Sequence, residues 1–236
     1  EDDLMRLFNM DRLATYMDRL SMDEDQELSA GMLNRGVSNA QKKVEERNFA
    51  MRKHLLEYDD VLNQQREIIY DLRNKALLSD SIKDTIHEFI EDFIYDVIGD
   101  LDFKQSKEWD WQSINQQLNS SLLINIDNKE IDSLSSLDEL LDYINEKALK
   151  YYQLKEDVIP EELLRKVEKF IVLKTIDEKW RNHLLGMDQL REGIGLRAYG
   201  QKNPLIEYKS ESYNFFQELM ISLRSTVIQR VFHAQI

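Results

Sequence analysis

The segment EYDDV places three carboxylates close together in the sequence. It provides Glu57, Asp59 and Asp60, whose oxygens suit a divalent cation or a paired general acid and base. A simpler interpretation is that these carboxylates pair with arginines on whatever bodies the surrounding helix touches. We favour the second interpretation, and a metal screen by thermal shift that left stability unchanged would remove the first.

The histidines form no recognisable catalytic or metal site. They are scattered, and none belongs to the paired Glu-x-x-His sites of helical di-iron proteins: His54, His87, His183 and His233. The segment HEFIEDF brings His87 near Glu88 and Glu91, but one such cluster is typical of a solvated helix face. With no cysteine, thiolate zinc sites and thiol nucleophiles are excluded. We expect no catalytic residue, no metal site and no cofactor in this chain.

The segment REGIGLRAYGQKNP, residues 191 to 204, is the strongest candidate for a binding site. It holds three of the seven glycines and one of the two prolines, and these breakers predict a tight reversal with hinges at Gly193, Gly195 and Gly200. A turn does not require the side chains that it also carries, namely Leu196, Arg197, Tyr199, Gln201 and Lys202. Exposed apolar groups beside cations and amides suit a sequence-tolerant grip on an extended polypeptide. Alternatively, Leu196 and Tyr199 fold back and plug the end of their own hairpin.

Two amphipathic helices flank this loop and must position it. The first is predicted to begin with Pro160 as its first residue, and its apolar side chains recur at helical spacing: Leu163, Val167, Phe170, Leu173, Ile176, Trp180, Leu184, Met187 and Leu190. The second begins at Asn203-Pro204 and carries a matching stripe: Tyr208, Phe215, Leu219, Leu223, Val227 and Val231. The pattern predicts an antiparallel hairpin with Trp180, Leu184, Phe215 and Leu219 in its core.

A long helix is predicted upstream, because neither glycine nor proline occurs between Gly36 and Gly99. Ser38 and Gln41 have capping-box spacing, and apolar residues follow in steps of three, four or seven: Val44, Met51, Leu55, Tyr58, Leu62, Ile69, Leu72 and Ala76. The alternative is a helix interrupted at residues 63 to 65.

The middle of the chain differs in charge from its two ends. Residues 79 to 160 carry 7 Lys/Arg against 19 Asp/Glu, whereas residues 161 to 236 carry 12 against 10. This acidity argues against a nucleic-acid surface. We predict a small acidic helical module with helices at 82 to 98, opened near Ser81 and Asp84, and at 136 to 151, with Trp109 and Trp111 in its core. The scarcity of glycine and proline, and of alternating β-branched runs, predicts an all-α fold. The sequence contains no run of about 18 apolar residues, so we expect no membrane-spanning helix in it.

Two stretches resemble the SecA family of motor ATPases in bacterial protein export. They are NAQKKVEERNFAMRKHLLEYDDVLNQQREIIY, residues 39 to 70, and IDEKWRNHLLGMDQLREGIGLRAYGQKNPLIEYKSES, residues 176 to 212. The resemblance extends over about the whole chain, although residues 80 to 155 match by position and helical character alone. It implies four parts: the tail of the second nucleotide-binding domain with a connector (1–30), the long scaffold helix (31–78), an inserted helical wing (79–159) and a two-helix finger (160–236). Because the chain starts at Glu1 rather than methionine, we expect a fragment of a longer protein.

The resemblance also implies partners and a location. In that family the tyrosine that matches Tyr199 contacts the translocating polypeptide at the mouth of the SecYEG channel. The implied partners are an unfolded preprotein, this channel and the motor domains missing here, at the cytoplasmic side of the inner membrane; dimerisation is left open. ATP and magnesium belong to the parent protein, because this sequence lacks a G-x-x-x-x-G-K-[ST] phosphate loop and is not expected to hydrolyse ATP alone. The competing hypothesis is a purely structural helical adaptor or coiled-coil scaffold without substrate contact.

Overall fold

The computed structural model describes residues 30–99, 109–131, 134, 136–195 and 203–234, and their fold is all-α. The helices in chain order are α1 (Ala30–Leu78), α2 (Lys83–Ile98), α3 (Trp111–Leu122), α4 (Asn128–Ile131), α5 (Leu137–Val158), α6 (Glu161–Ile194) and α7 (Pro204–His233). The predicted fold class is therefore confirmed.

Helix α1 continues through residues 63 to 65, so the prediction of one long helix is confirmed and the interrupted alternative is wrong. The predicted capping box at Ser38 is also wrong, because the helix already begins at Ala30. Gly36 lies inside it; one interior glycine costs about 1 kcal/mol relative to alanine, which is not enough to end a helix.

The chain divides into two compact units, Glu1–Asp60 and Val61–Ile236. In the described part of the first unit, Ala40 and Tyr58 are buried, and Tyr58 lies against His54 with 5.0 Å between the ring centroids. Met51 and Leu55, two members of the predicted stripe, are about half exposed. The apolar pattern therefore identified this part of the helix correctly without identifying a fully buried face.

In the second unit, α6 and α7 form the predicted antiparallel hairpin. Lys179 Nζ donates to Ser222 Oγ at 2.8 Å, and Arg230 donates to Thr175 Oγ1 at 3.0 Å, so rising numbers on α7 meet falling numbers on α6. This ladder of contacts confirms the prediction of a helical hairpin.

Helices α2 and α3 both pack against α7, and α5 packs against α2. Their apolar side chains belong to the same hydrophobic cluster as those of the hairpin, and Trp109 and Trp111 lie half-buried against it. Arg224 on α7 binds the carboxylate of Asp96 on α2 through two nitrogens, at 3.0 and 2.7 Å to Oδ2. The helices predicted as wing and finger therefore share one hydrophobic core, and the boundary that the sequence suggested between them stays a prediction.

Two helix starts agree with the capping residues predicted from the sequence, and other helix ends differ from the prediction. Ser136 caps α5 by accepting from the backbone N–H of Glu139, and Asn203 caps α7 with Pro204 as the first helical residue, as predicted. Pro160 is the N-cap of α6 rather than its first residue. The predicted capping box at Ser81 is wrong: Ile82 is the N-cap of α2 and has no side-chain cap, whereas Ser81 Oγ accepts from the N–H of Lys83. Helix α5 also runs seven residues beyond the predicted end at 151.

The first half of the predicted α6 stripe is only partly right: Leu173 packs against the hydrophobic cluster, whereas Leu163 is exposed. Phe170 is 64% exposed, and the buried face instead contains Leu164, Arg165, Glu168, Val172 and Thr175. Three of these are polar, and their hydrogen-bond partners lie on other helices or one turn away. From Ile176 onward the prediction agrees with the structure, since Ile176, Trp180 and Met187 are buried. Within the described ranges, no helix combines the length and apolarity that a membrane span requires.

Candidate functional site

The predicted polypeptide contacts fall outside the described residues. These are Leu196, Arg197, Tyr199, Gln201 and Lys202, together with the hinge Gly200. The described hinge glycines continue the helix: Gly193 lies in the last turn of α6, and Gly195 follows it with a right-handed φ of −58°. Neither adopts the positive φ that a glycine hinge allows. Their role as hinges stays a prediction, and the structure describes the two helices from which the loop departs.

A stack of aromatic rings fills the hairpin below the loop. His183 lies between Trp180 and Phe215, with ring centroids 5.4 and 4.9 Å away and interplanar angles of 25° and 26°. Phe216 meets the same imidazole edge-on at 5.9 Å. The stack bridges α6 and α7 and holds the two helices together through large, rigid aromatic surfaces.

The four predicted core residues occupy this region to different depths. Trp180 and Leu219 are each 7% exposed, whereas Leu184 and Phe215 are half-buried. The ring of Phe215 covers Gly186, where an added Cβ would lie 2.4 Å from its Cζ. Gly186 therefore permits the close approach of the two helices, a requirement that the sequence pattern did not indicate.

Helix α1 joins the hairpin through the side chain of Gln65, which is 6% exposed. Gln65 Nε2 donates to the backbone carbonyl of Ser212 at 3.1 Å, and His183 Nε2 lies 2.8 Å from Gln65 Oε1. Because a carbonyl can only accept, the amide nitrogen must face Ser212 and the amide oxygen must face His183. His183 therefore carries its proton on Nε2 and donates it to Gln65.

Burial lowers the pKa of His183 to about 4. The second ring nitrogen, Nδ1, is buried and has no hydrogen-bond partner among the described residues. A proton added there would create a buried charge without an acceptor, which is unfavourable. The imidazole is therefore neutral near pH 7 and acts as a packing element with one directed hydrogen bond.

A shallow groove of about 560 Å³ lies beside this joint, between α1 and α6. Its apolar floor includes Ile69, Ile176 and Trp180. Across it, Arg73 Nε on α1 donates to Asp177 Oδ1 on α6 at 3.0 Å, and both side chains are substantially exposed. This ion pair is a second link between α1 and the hairpin. Unlike the Gln65 side chain, it is open to solvent and binds α6 without binding α7.

A buried ionic network ties α5 to the start of α6. Tyr152 donates to Glu168 Oε1 at 2.6 Å, and Arg165 Nη1 binds Glu168 Oε2 at 2.6 Å. Arg165 also bonds Glu156, which receives Lys83 Nζ at 2.7 Å. Glu168 is fully buried, so desolvation raises the pKa of its carboxyl, and the hydrogen bonds from Tyr152 and Arg165 oppose that rise. The network fixes the orientation of the hairpin's first turns on α5.

The acidic groups considered from the sequence form no evident site. Glu57 and Asp59 are half-buried on α1, and Asp60 is exposed beside them. His87 lies edge-on against Tyr152, with 5.4 Å between ring centroids. In the part of the chain that the structure describes, no group of three or more His, Asp or Glu side chains has the geometry of a metal site.

Comparison with known proteins identifies the family to which this chain belongs. Residues 27–235 match the family model described as the SecA wing and scaffold domain, so the chain belongs to that family. It is 42% identical over 239 residues to "Protein translocase subunit SecA" of Syntrophomonas wolfei, covering 100% of this chain and 29% of that protein. The protein of the same name from Heliobacterium modesticaldum is 39% identical over 238 residues, covering 100% of this chain and 28% of its own length. The chain thus spans less than a third of these relatives, and the family resemblance predicted from the sequence is confirmed.

Proposed function

We propose that this chain is the wing and scaffold part of an ATP-driven protein translocase subunit. In this proposal the loop at residues 195–203 contacts the translocating polypeptide and the SecYEG channel, and α1 relays movements of the motor domains to it. The observation that carries the proposal is the match to the wing and scaffold family over residues 27–235, among relatives named protein translocase subunits.

The described geometry supports a mechanical role for the hairpin. The loop leaves between α6 and α7, whose base is filled by the stack of Trp180, His183 and Phe215. A contact loop on a well-packed base can transmit a displacement instead of absorbing it, since close-packed interiors deform little. The loop's own apolar and cationic residues, with Tyr199 at the centre, would then grip a chain of any sequence.

Nucleotide chemistry is assigned to other parts of the translocase. The sequence has no phosphate-binding loop of the G-x-x-x-x-G-K-[ST] form, which cradles nucleotide phosphates in such motors. We therefore propose that ATP and magnesium bind outside these 236 residues. The chain would act at the cytoplasmic face of the inner membrane, held there by the channel.

Tyr199→Ala in the complete translocase tests this proposal. We expect protein transport to fall while the melting temperature stays unchanged, because in this proposal the aromatic ring of Tyr199 binds the polypeptide and does not plug the hairpin. Tyr213→Ala is the matched control, since Tyr213 is an exposed aromatic on α7. Equal transport by the wild type and both variants would contradict the proposed contact.

A second candidate is a helical adaptor without substrate contact. The 49-residue length of α1 favours it, because such a helix serves as a scaffold whether or not the hairpin loop binds anything. ATPase assays of the motor domains with and without this chain address the scaffold role. The adaptor predicts altered ATPase activity together with normal transport by Tyr199→Ala.

A further inference from the structure

The buried face of α1 carries one polar residue at a position where its pattern calls for an apolar one. Within the second unit the face follows alternating steps of three and four residues: Leu62, Gln65, Ile69, Leu72 and Ala76. The four apolar members pack into the main hydrophobic cluster, and Gln65 is buried among them. A single polar residue in such a seam is a known means of fixing register, because any other alignment leaves its polar atoms unpaired.

The two ends of the Gln65 amide bind two different helices. Its oxygen accepts from His183 on α6, and its nitrogen donates to the carbonyl of Ser212 on α7. Ser212 is fully buried and small, so α1 can approach near enough for a side chain to reach the backbone of α7. A rotation or sliding of α1 would break both hydrogen bonds at once and leave buried polar groups on all three helices.

We propose that Gln65 is the positioning residue that sets the register of the α6–α7 hairpin on α1. Through it, a displacement of α1 residues 61–78 becomes a displacement of the hairpin loop. The proposal rests on the proposed translocase function for its consequence, but the register itself is a property of the described residues. Gln65 touches no reacting group and acts through His183 and Ser212.

Spin-label distances in the 236-residue chain test the register directly. The sequence has no cysteine, so pairs can be introduced at exposed sites: Glu67 on α1 with Asp188 on α6, and Glu67 with Lys209 on α7. The variant is Gln65→Met, which keeps an unbranched side chain of similar length and removes both hydrogen bonds. Arg73→Met is the matched control, because it removes the exposed link between α1 and α6.

We expect Gln65→Met to broaden or shift both distance distributions while the melting curve stays cooperative, and Arg73→Met to leave them as in the wild type. In the complete translocase, Gln65→Met should lower transport per ATP hydrolysed about fivefold or more, the lower range of typical coupling between sites. Unchanged distances, or changed distances with unchanged transport per ATP, would overturn the proposal. Gln65→Asn, whose shorter amide cannot reach both partners, should behave like Gln65→Met; wild-type behaviour of this variant would also overturn it.

The two proposals fail in different ways. If Tyr199→Ala leaves transport intact while Gln65→Met changes the distances and the transport per ATP, the loop contact is wrong and the register stands. If Gln65→Met leaves the distances unchanged while Tyr199→Ala impairs transport, the register is wrong and the loop contact stands.

Discussion

The ring of Phe215 lies directly against the backbone of Gly186: a Cβ at residue 186 would lie 2.4 Å from Cζ and 2.5 Å from Cε1 of that ring. The same ring stacks on His183, with centroids 4.9 Å apart, so it cannot withdraw without breaking that stack. Helix α7 therefore places an aromatic ring onto α6 at a position where α6 has no side chain, three residues beyond His183 in the sequence.

Gly186→Ala should consequently destabilise the chain, although alanine is the better helix former. We expect a net loss of about 1 kcal/mol, because overpacking costs about 1–3 kcal/mol and the gain in helix propensity is about 1 kcal/mol. In a Phe215→Leu background the same substitution should become stabilising, since the clash is gone. Chemical denaturation of the wild type and the three variants measures this, and an effect of the same sign in both backgrounds would contradict the contact.

Trp180→Ala should cost about 3–5 kcal/mol of unfolding free energy, as is usual for large aromatic side chains in cores. Trp180 is 7% exposed and stacks on His183, so its removal empties the centre of the hairpin base. Tyr213→Ala, at an exposed aromatic of α7, serves as the control and should lie within about 0.5 kcal/mol of the wild type. A loss below about 1 kcal/mol for Trp180→Ala would contradict its assignment to the hairpin core.

The stability of the chain should decrease on acidification through its buried histidine. The pKa of His183 is lowered to about 4 in the folded state, against about 6.5 when unfolded, so between these values the unfolded chain binds the additional proton. The contribution of neutral His183 to the free energy of unfolding is complete above about pH 6.5. Below that pH it falls by about 1.4 kcal/mol for each pH unit, until about pH 4.

His183→Gln isolates this effect, because glutamine keeps an N–H donor near the position of Nε2 and does not titrate. Glu168 has a raised pKa and contributes with the opposite sign, but it is present in both proteins. Between pH 7 and pH 4, the denaturation midpoint should decrease less for the variant than for the wild type. Identical pH dependence of the two proteins would contradict the buried, neutral state of His183.

Arg165→Met should cost about 3–5 kcal/mol, because it leaves the fully buried carboxylate of Glu168 without its cation. Adding Glu168→Leu should recover part of that loss, since the double variant buries no lone charge. Lys166→Met is the neighbouring control: its ion pair with Glu162 is exposed to solvent, so this variant should unfold close to the wild type. A double variant that is less stable than Arg165→Met alone would contradict this account of the network.

The sequence predicted the elements of the fold better than their buried faces. The continuity of α1 through residues 63 to 65 follows from the absence of glycine and proline between Gly36 and Gly99, although its start at Ala30 was not predicted. The start of α7 follows from Asn203 and Pro204. The buried face of early α6 was missed because Arg165 and Glu168 are polar by type. Their burial depends on Tyr152, 13 and 16 residues away, which no local pattern identifies as a partner.

The apolar residues of the candidate site were predicted, whereas its polar residue and its glycine were not, because their partners are distant in the sequence. Trp180 and Leu219 were expected in the hairpin core from their apolar spacing, and the structure places them there. Gln65 was missed although it lies in step with Leu62 and Ile69, because a search for apolar residues passes over an amide. Gly186 gave no signal, since the ring that requires it is 29 residues distant and belongs to another helix.

The most direct test of the account is photo-cross-linking from residue 199 in the complete translocase during transport of a stalled secretory polypeptide. A photoreactive phenylalanine analogue at position 199 should form adducts with the polypeptide that depend on ATP. The same analogue at position 213, exposed on the outside of α7, should form few. Adducts at 199 above those at 213 are the result that the account predicts. Equal yields at both positions, or none at 199 while transport proceeds, would contradict the claim that the hairpin loop contacts the moving chain.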